Sequence, residues 1–179
     1  MPLARLATLL IAPLVVVLSG CQVATRGGPS TVASLDLDRY MGRWYVIRNT
    51  PYFLERGKVA SFDTYARLPD GTLSNNFTFR PGSFGEPERT WHGTAKITDS
   101  QTNATWSVSF LWPMSVTYKV FAVDPGYKWS VVGTGDAGLL WVLSRERSLS
   151  PASYDEALAA LKSKGIATDK LTPVPQPPE

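Results

Sequence analysis

Between residues 42 and 145 the chain alternates short apolar-rich segments with breaks made of turn-forming residues. Within several segments the apolar positions recur at every second residue. Trp106, Val108 and Phe110, for example, alternate with hydroxyl-bearing residues. A period of two is typical of a β-strand with one face against apolar material and the other in water.

About eight strands are predicted in this region. Their approximate ranges are 42–50, 59–67, 72–80, 90–98, 104–111, 116–124, 127–133 and 138–145. Such spacing favours an all-β sandwich or barrel. Eight strands closed into an up-and-down antiparallel barrel would leave no exposed edge and an interior wide enough for one small ligand. A β-sandwich stays open as the alternative, because periodicity alone does not separate the two.

The segment after the last strand predicts one C-terminal α-helix. Ser150 can cap its N-terminus, and Pro151 suits the first helical position. Tyr154, Leu158 and Leu161 then follow at helical spacing and form one apolar stripe. We therefore expect the helix to pack on the outside of the barrel.

The first twenty residues have the features of a signal peptide. A run of 13 mostly apolar residues, 6–18, follows one positive charge and is too short to span a bilayer as a helix. The sequence Leu-Ser-Gly-Cys that ends at Cys21 resembles the lipobox of bacterial lipoprotein precursors. This resemblance implies cleavage before Cys21, its acylation with palmitate or similar chains, and, with Gln22 next, a place at the periplasmic face of the outer membrane. An ordinary signal peptide with an unrelated cysteine is the alternative.

The chain is thus expected to have four parts. These are a signal peptide (1–20), a lipidated cysteine with a polar tether (21–34), one β-barrel domain (35–170) and a Pro-rich tail (171–179), which should be extended or frayed.

Composition narrows the function further. The 179 residues include 18 Lys+Arg against 15 Asp+Glu, one Cys and one His, for a net charge of +3. So small and scattered a charge argues against a nucleic-acid partner. A single cysteine excludes a disulfide scaffold, a Cys-rich zinc site and an iron–sulfur cluster.

The candidate catalytic motifs are weak. Residues 133–138 fit G-x-G-x-x-G, but a strand follows where a dinucleotide site needs a helix, so a hairpin turn is favoured. His92 lies on a polar strand face without a Cys or a second His, and we expect it at the surface. We therefore predict no enzyme, no cofactor and no metal.

Three regions resemble the signatures of the lipocalin family. Gly42-Arg43-Trp44 resembles the Gly-x-Trp motif at the start of the first strand. The segments 118–124 and 140–145 are similar to the second and third conserved regions of the family. Residues 53–57 and 110–113 resemble, in particular, the branch that contains bacterial outer-membrane lipocalins and apolipoprotein D.

The resemblance implies a barrel that carries a ligand in a calyx. Trp44 would then close the base, with Arg145 packed across its indole ring. Structural roles of this kind are expected for a set of signature residues: Gly42, Trp44, Asp124, Tyr127 and Arg145.

The alternation along the strands predicts which residues face the calyx. They are Val46, Phe77, Phe79, Trp106, Val108, Phe110, Tyr118, Val120, Trp129 and Trp141. Arg48 shares the face of Val46 and is expected at the mouth, where it could meet a carboxylate or phosphate. The alternatives are packed core for the apolar residues and an outer solvated charge for Arg48.

Three functions follow in order of preference. The first is a lipid-anchored carrier for a fatty acid, lysophospholipid or similar amphiphile. The second is an envelope maintenance or interaction lipoprotein with a filled barrel. The third, an enzyme on the same scaffold, has no candidate residue. The sequence leaves open a homodimer.

Overall fold

The computed structural model describes residues 28–178. The predicted signal peptide, Cys21 and residues 22–27 of the predicted tether lie outside the described residues. Among the described residues, no helix is long and apolar enough to cross a membrane.

The elements follow the predicted order, with two additions. They are α1 (Leu37–Tyr40), β1 (Gly42–Asn49), β2 (Lys58–Arg67), β3 (Leu73–Pro81), β4 (Arg89–Ile97), β5 (Thr105–Leu111), β6 (Met114–Val123), β7 (Trp129–Thr134), β8 (Leu140–Ser144), α2 (Pro151–Lys162) and β9 (Thr172–Pro173). The short helix α1 and the two-residue strand β9 were not predicted from the sequence.

The eight long strands form a closed antiparallel barrel. Each strand pairs with its neighbour in the chain, and β1 pairs with both β2 and β8, which closes the sheet. The barrel prediction is therefore confirmed and the sandwich alternative is excluded. The connections β1–β2, β3–β4, β5–β6 and β7–β8 all lie at one end of the barrel, which we call the open end.

Helix α2 lies on the outer surface, as predicted. The Ser150 hydroxyl caps it by accepting a hydrogen bond from the Ser153 backbone N–H. Its buried residues, Ala157 and Leu161, pack with Phe121, Val131 and other outward-facing residues of β6–β8 into a second core outside the barrel. Because the apolar stripe of the helix covers their outer face, these strands are apolar on both faces.

The C-terminal tail is extended but not frayed. Strand β9 pairs with Arg48 and Asn49 of β1. The Gln176 side-chain amide then donates to the carbonyls of Val46 at 2.8 Å and Ser61 at 2.9 Å, and so bridges β1 and β2. The direct pairing of β1 with β2 ends at Tyr45 and Phe62, so Gln176 joins the two strands beyond that point.

The segment before α1 also packs on the barrel. The Val32 N–H donates to the Val120 carbonyl, and Lys164 of the α2 end reaches the Thr31 carbonyl at 2.9 Å. Gly28 lies so close to Gly135, in the β7–β8 turn, that a Cβ on it would come within 2.5 Å of the Gly135 carbonyl oxygen. Gly28, the first described residue of the chain, therefore lies at the open end of the barrel. Both flanking segments thus pack against the barrel within residues 28–178, whose two cores are the barrel interior and the layer under α2.

Candidate functional site

The closed end of the barrel is filled by an aromatic cluster. The Tyr40, Trp44 and Trp106 rings are fully buried there, with Tyr40 4.9 Å from Trp44 and 5.7 Å from Trp106 between ring centroids. Above them, the hydroxyls of Tyr65 and Tyr118 share a 2.7 Å hydrogen bond across the interior. This layer forms a solid floor, so the interior is accessible only from the open end.

Arg145 seals the closed end from outside. Its guanidinium carbon lies 3.7 Å from the centroid of the Trp44 ring, and its nitrogens donate to the carbonyls of Arg43 and Arg39. Gly42 has φ +94° and sits beneath it, where a Cβ would lie 3.4 Å from the guanidinium. The family resemblance assigned this structural role to Trp44 and Arg145.

Asp124 and Tyr127 shape the β6–β7 turn at the same end. The Asp124 carboxylate accepts from the Lys128 N–H at 3.1 Å. The Tyr127 hydroxyl accepts from the Asp36 N–H at 2.8 Å, and its ring lies 4.1 Å from the Arg39 guanidinium. Tyr127 thus holds the α1 entrance against the barrel, and Asp124 braces the turn; neither residue lines the interior cavity.

Above the floor lies a cavity of about 710 Å³ that reaches the open end. This volume falls within the range of roughly 300–1,000 Å³ that is usual for small-molecule sites. Its apolar lining residues are Leu54, Phe77, Trp91, Val108, Phe110, Leu111, Val116, Leu139 and Trp141. Its polar lining residues are Tyr52, Glu55, Asp63, Asn75, Thr90, His92, Tyr118 and Thr134.

Five of the eleven residues predicted for the calyx line this cavity. These are Phe77, Val108, Phe110, Tyr118 and Trp141. Four others, Val46, Phe79, Trp106 and Val120, are buried in the same interior cluster but do not line the cavity. For these four, packed core was the alternative left open by the sequence, and it is what the structure shows.

Two nominated residues lie outside the barrel, and their prediction is wrong. The Arg48 guanidinium lies 4.4 Å from the ring centroid of Tyr154 on α2. The bulge between Val46 and Arg48 adds one residue, so that the strict alternation beyond Val46 is reversed. Trp129 belongs to the outer core under α2, while its neighbour Ser130 faces inward and bonds the Tyr40 hydroxyl at 3.1 Å.

The sequence missed two acidic residues of the cavity, Glu55 at its mouth and the buried Asp63 inside the barrel. Glu55 accepts hydrogen bonds from Asn49 at 2.7 Å, from Trp141 at 2.9 Å and from Tyr52 at 3.1 Å. Asp63 is 9% exposed and pairs with Trp44 and Phe77, both of which face inward. In the sequence, only the period of two along β2 indicated this position, because it puts Asp63 on the same strand face as Tyr65.

Burial governs the protonation of these two carboxyls. Burial raises the pKa of Glu55 above 4.5, and the hydrogen bonds from Trp141, Asn49 and Tyr52 oppose this shift. Burial raises the pKa of Asp63 well above 3.8, and the negative charge of Glu55 raises it further. The interior therefore contains two acids that are costly to ionise without a positive partner.

The motifs that could suggest catalysis have structural roles. Residues 133–138 form the β7–β8 hairpin turn, in which Asp136 accepts from the Gly138 N–H at 3.0 Å. His92 is exposed at the rim and pairs with Asn76 at 3.1 Å. Residues 28–178 contain no group of three His, Cys, Asp or Glu side chains placed to hold a metal.

Comparison with known proteins agrees with this geometry. A family model described as a lipocalin-like domain matches residues 35–176. The outer membrane lipoprotein Blc of Escherichia coli K12 is 33% identical over 153 residues, which cover 84% of each chain. The temperature-induced lipocalin-1 of Arabidopsis thaliana is 32% identical over 161 residues, covering 83% of this chain and 84% of that protein. Apolipoprotein D of Macaca fascicularis is 27% identical over 153 residues, covering 80% and 78%.

Solved structures show the same fold. The crystal structure of the cockroach allergen Per a 4 matches with a TM-score of 0.65 and 25% identity, covering 84% of this chain and 93% of that one.

Proposed function

The chain belongs to the lipocalin family, and from this premise we propose that it is a lipid-anchored outer-membrane carrier that reversibly holds one amphiphilic molecule in its barrel. Fatty acids and lysophospholipids are the ligand classes first suggested by the sequence. Binding would be a reversible partition into the cavity, without a covalent step. Relatives named outer membrane lipoprotein support the anchor, and the lipobox at Cys21 supplies the residue to be acylated.

The cavity is the observation that carries this proposal. Its walls are mostly aromatic and aliphatic, and it is open at one end only. Burial of an alkyl chain contributes about 0.8 kcal/mol per CH₂ group, so a chain of about ten buried carbons gains roughly 8 kcal/mol before the costs of association. A cavity of this size argues against the filled-barrel alternative.

The loops around the open end support a membrane location. Six large apolar side chains are exposed there: Phe53, Leu54, Phe84, Leu111, Trp112 and Met114. The most exposed is Trp112, with 86% of its surface accessible. Because exposed apolar residues clustered at one end are unusual for a free monomer, they suit insertion into the lipid surface.

The entry point of the chain is consistent with the same orientation. Gly28 lies against Gly135 at the open end, and Cys21 is only seven positions earlier in the sequence. A tether of this length spans at most about 25 Å when fully extended. An acylated Cys21 would therefore hold the open end close to the bilayer.

Ligand binding is tested with the unacylated chain from Gln22 onward, which retains every residue of the barrel. Bound lipid is identified by mass spectrometry, and the delipidated protein is titrated with the neutral fluorescent probe N-phenyl-1-naphthylamine. We expect saturable one-to-one binding that weakens about 5- to 10-fold in Phe110→Ser, because this ring lines the cavity. The matched control is Phe84→Ser, since Phe84 is 42% exposed against 43% for Phe110 but does not line the cavity. No bound lipid and no probe binding would favour the interaction function instead.

The anchor is tested with the full chain in a bacterial host. We expect incorporation of labelled palmitate and recovery in the outer-membrane fraction, and we expect the variant Cys21→Ser to lose both. Palmitate incorporation into Cys21→Ser would contradict the assignment of this residue.

A further inference from the structure

Three of the polar side chains on the cavity wall, Glu55, Asp63 and Asn75, supply hydrogen-bond acceptors. Asp63 and Asn75 are diagonal neighbours on the inner face, because Asp63 pairs with Phe77 and Tyr65 pairs with Asn75 across β2 and β3. Glu55 lines the same cavity from the β1–β2 connection. The three side chains thus bring two carboxyls and an amide oxygen to one apolar chamber.

One of these three acceptors, the side-chain oxygen of Asn75, lacks a hydrogen-bond donor. The side chain of Asn75 is 97% buried (3% exposed), and its Oδ1 atom has no hydrogen-bond partner within residues 28–178. Leaving a buried acceptor without a partner costs about as much as a lost hydrogen bond, so such atoms usually have a specific reason. Because Asn75 lines the cavity, a ligand that fills it can supply the missing donor.

The part of the chain that the structure describes offers these carboxyls no ion pair. Its two salt bridges join Arg67 to Asp38 and Arg80 to Glu88, all outside the cavity lining. The cation that acts on Glu55 through space is Lys58, whose ammonium lies 4.4 Å from the Phe79 ring centroid and donates to the Leu54 carbonyl. The site therefore has acceptors, two of them carboxyls that a bound cation would favour in the ionised form, but no dedicated positive partner.

Resting on the carrier function proposed above, we propose that the preferred ligand is an amphiphile with a primary ammonium head. The head would lie between the Asp63 carboxylate and Asn75 Oδ1, where its three N–H donors match the available acceptors. The alkyl chain would run past Phe77, Val108 and Phe110 toward the open end. A fatty-acid carboxylate would instead meet the Asn75 acceptor and two further carboxyls, and is disfavoured.

The decisive experiment compares three probes with the same twelve-carbon chain. Dodecylamine, dodecanol and dodecanoate are titrated at pH 7.5 into the delipidated chain from Gln22, and the fluorescence of its six tryptophans is followed. Two of these, Trp91 and Trp141, line the cavity and report on its occupation. We expect dodecylamine to bind at least about 10-fold more tightly than dodecanoate, with dodecanol between them.

The outcomes separate this inference from the carrier function. If dodecanoate binds as tightly as dodecylamine, the ammonium preference is wrong while the carrier function stands. If none of the three probes binds and N-phenyl-1-naphthylamine also fails, both proposals fall. The comparison uses the unmodified cavity, so it does not depend on whether any variant folds.

Variants then locate the head group. Asp63→Asn should weaken dodecylamine binding about 10-fold and dodecanol binding much less, and Asn75→Ala should weaken dodecylamine several-fold. The control is Asp155→Asn, which removes one negative charge from the exposed face of α2. An equal loss of amine affinity in Asp155→Asn would mean that net charge, and not the cavity, selects the cation.

Discussion

The indole N–H of Trp141, on β8, donates a 2.9 Å hydrogen bond to the Glu55 carboxylate, 86 positions earlier in the chain. The same carboxylate accepts from Asn49 at the end of β1 and from Tyr52 in the β1–β2 connection. Glu55 therefore fastens this connection to the barrel wall at the mouth of the cavity. The exposed Phe53 and Leu54 of the open end belong to the same connection.

Replacing Glu55 should release this connection. We expect Glu55→Ala to lower the free energy of unfolding by about 2 kcal/mol, because three hydrogen bonds to a largely buried carboxylate are lost. Amide hydrogen exchange should also accelerate in residues 51–57. The control Glu86→Ala, in the exposed β3–β4 connection, should change neither quantity. Unchanged exchange in Glu55→Ala would show that the connection is held by other contacts.

Asp63 should make the ligand-free protein less stable as the pH rises. Its folded pKa is raised well above 3.8 by burial and by Glu55, so the folded chain holds this proton more tightly than the unfolded chain. The associated stability is complete below about pH 4 and is lost as the pH rises through the folded pKa. The groups that act on Asp63 or feel its charge include Glu55, Tyr65, Tyr118 and Tyr40.

The variant Asp63→Asn isolates this effect. Its stability relative to the unmodified chain should increase with pH, by about 1.4 kcal/mol for each unit by which the folded pKa exceeds 3.8. Urea unfolding between pH 4 and pH 8 measures the difference. The same series on Asp155→Asn controls for the loss of one charge. A stability difference for Asp63→Asn that does not vary with pH would contradict the raised pKa.

Arg145 should matter for stability but not for binding. In Arg145→Ala the contact with the Trp44 ring and two hydrogen bonds to carbonyls are lost, and we expect a loss of about 2–3 kcal/mol in unfolding free energy. Affinity for N-phenyl-1-naphthylamine should stay within about twofold, since Arg145 lies below the aromatic floor. Arg147→Ala, whose guanidinium is 5.7 Å from the Tyr45 ring, is the matched control with a small expected effect.

The tail should contribute to closing the barrel. Gln176→Ala removes two hydrogen bonds that bridge β1 and β2, and we expect unfolding free energy to fall by about 1–3 kcal/mol. Thermal unfolding measures this change. Gln101→Ala, in the exposed β4–β5 turn, provides a glutamine control whose side chain is exposed. A Gln176→Ala protein as stable as that control would mean that the tail is not needed for closure.

The exposed ring of Trp112 should bind membranes. Even without acylation, the chain from Gln22 should associate with phosphatidylethanolamine–phosphatidylglycerol vesicles, and Trp112→Ser should weaken this several-fold because about 1–2 kcal/mol of ring burial is lost. Vesicle flotation measures the bound fraction. Phe84→Ser, also at the open end, should weaken association in the same direction, whereas Tyr154→Ser on α2 should not. Equal binding by Trp112→Ser and the unmodified chain would contradict insertion of this loop.

The sequence by itself determined the strands, their order, the helix with its Ser150 cap and the family signatures. These depend on neighbouring residues, on turn chemistry and on short motifs, all of which can be read along the chain. It also identified five residues that line the cavity; four lie in regularly paired stretches of strand, and the fifth, Phe110, lies in the irregular end of β5.

For the other residues, only the tertiary structure decided whether a side chain faces the interior or the outside of the barrel. The bulge before Arg48 reverses the alternation of β1, and the bulge at residue 121 does the same in β6. On β7 the outer face is as apolar as the inner one because α2 covers it, so hydrophobicity alone placed Trp129 wrongly. Asp63 and Asn75 face inward because strand pairing sets their register, and no local preference of a polar residue predicts burial in a cavity built by eight strands.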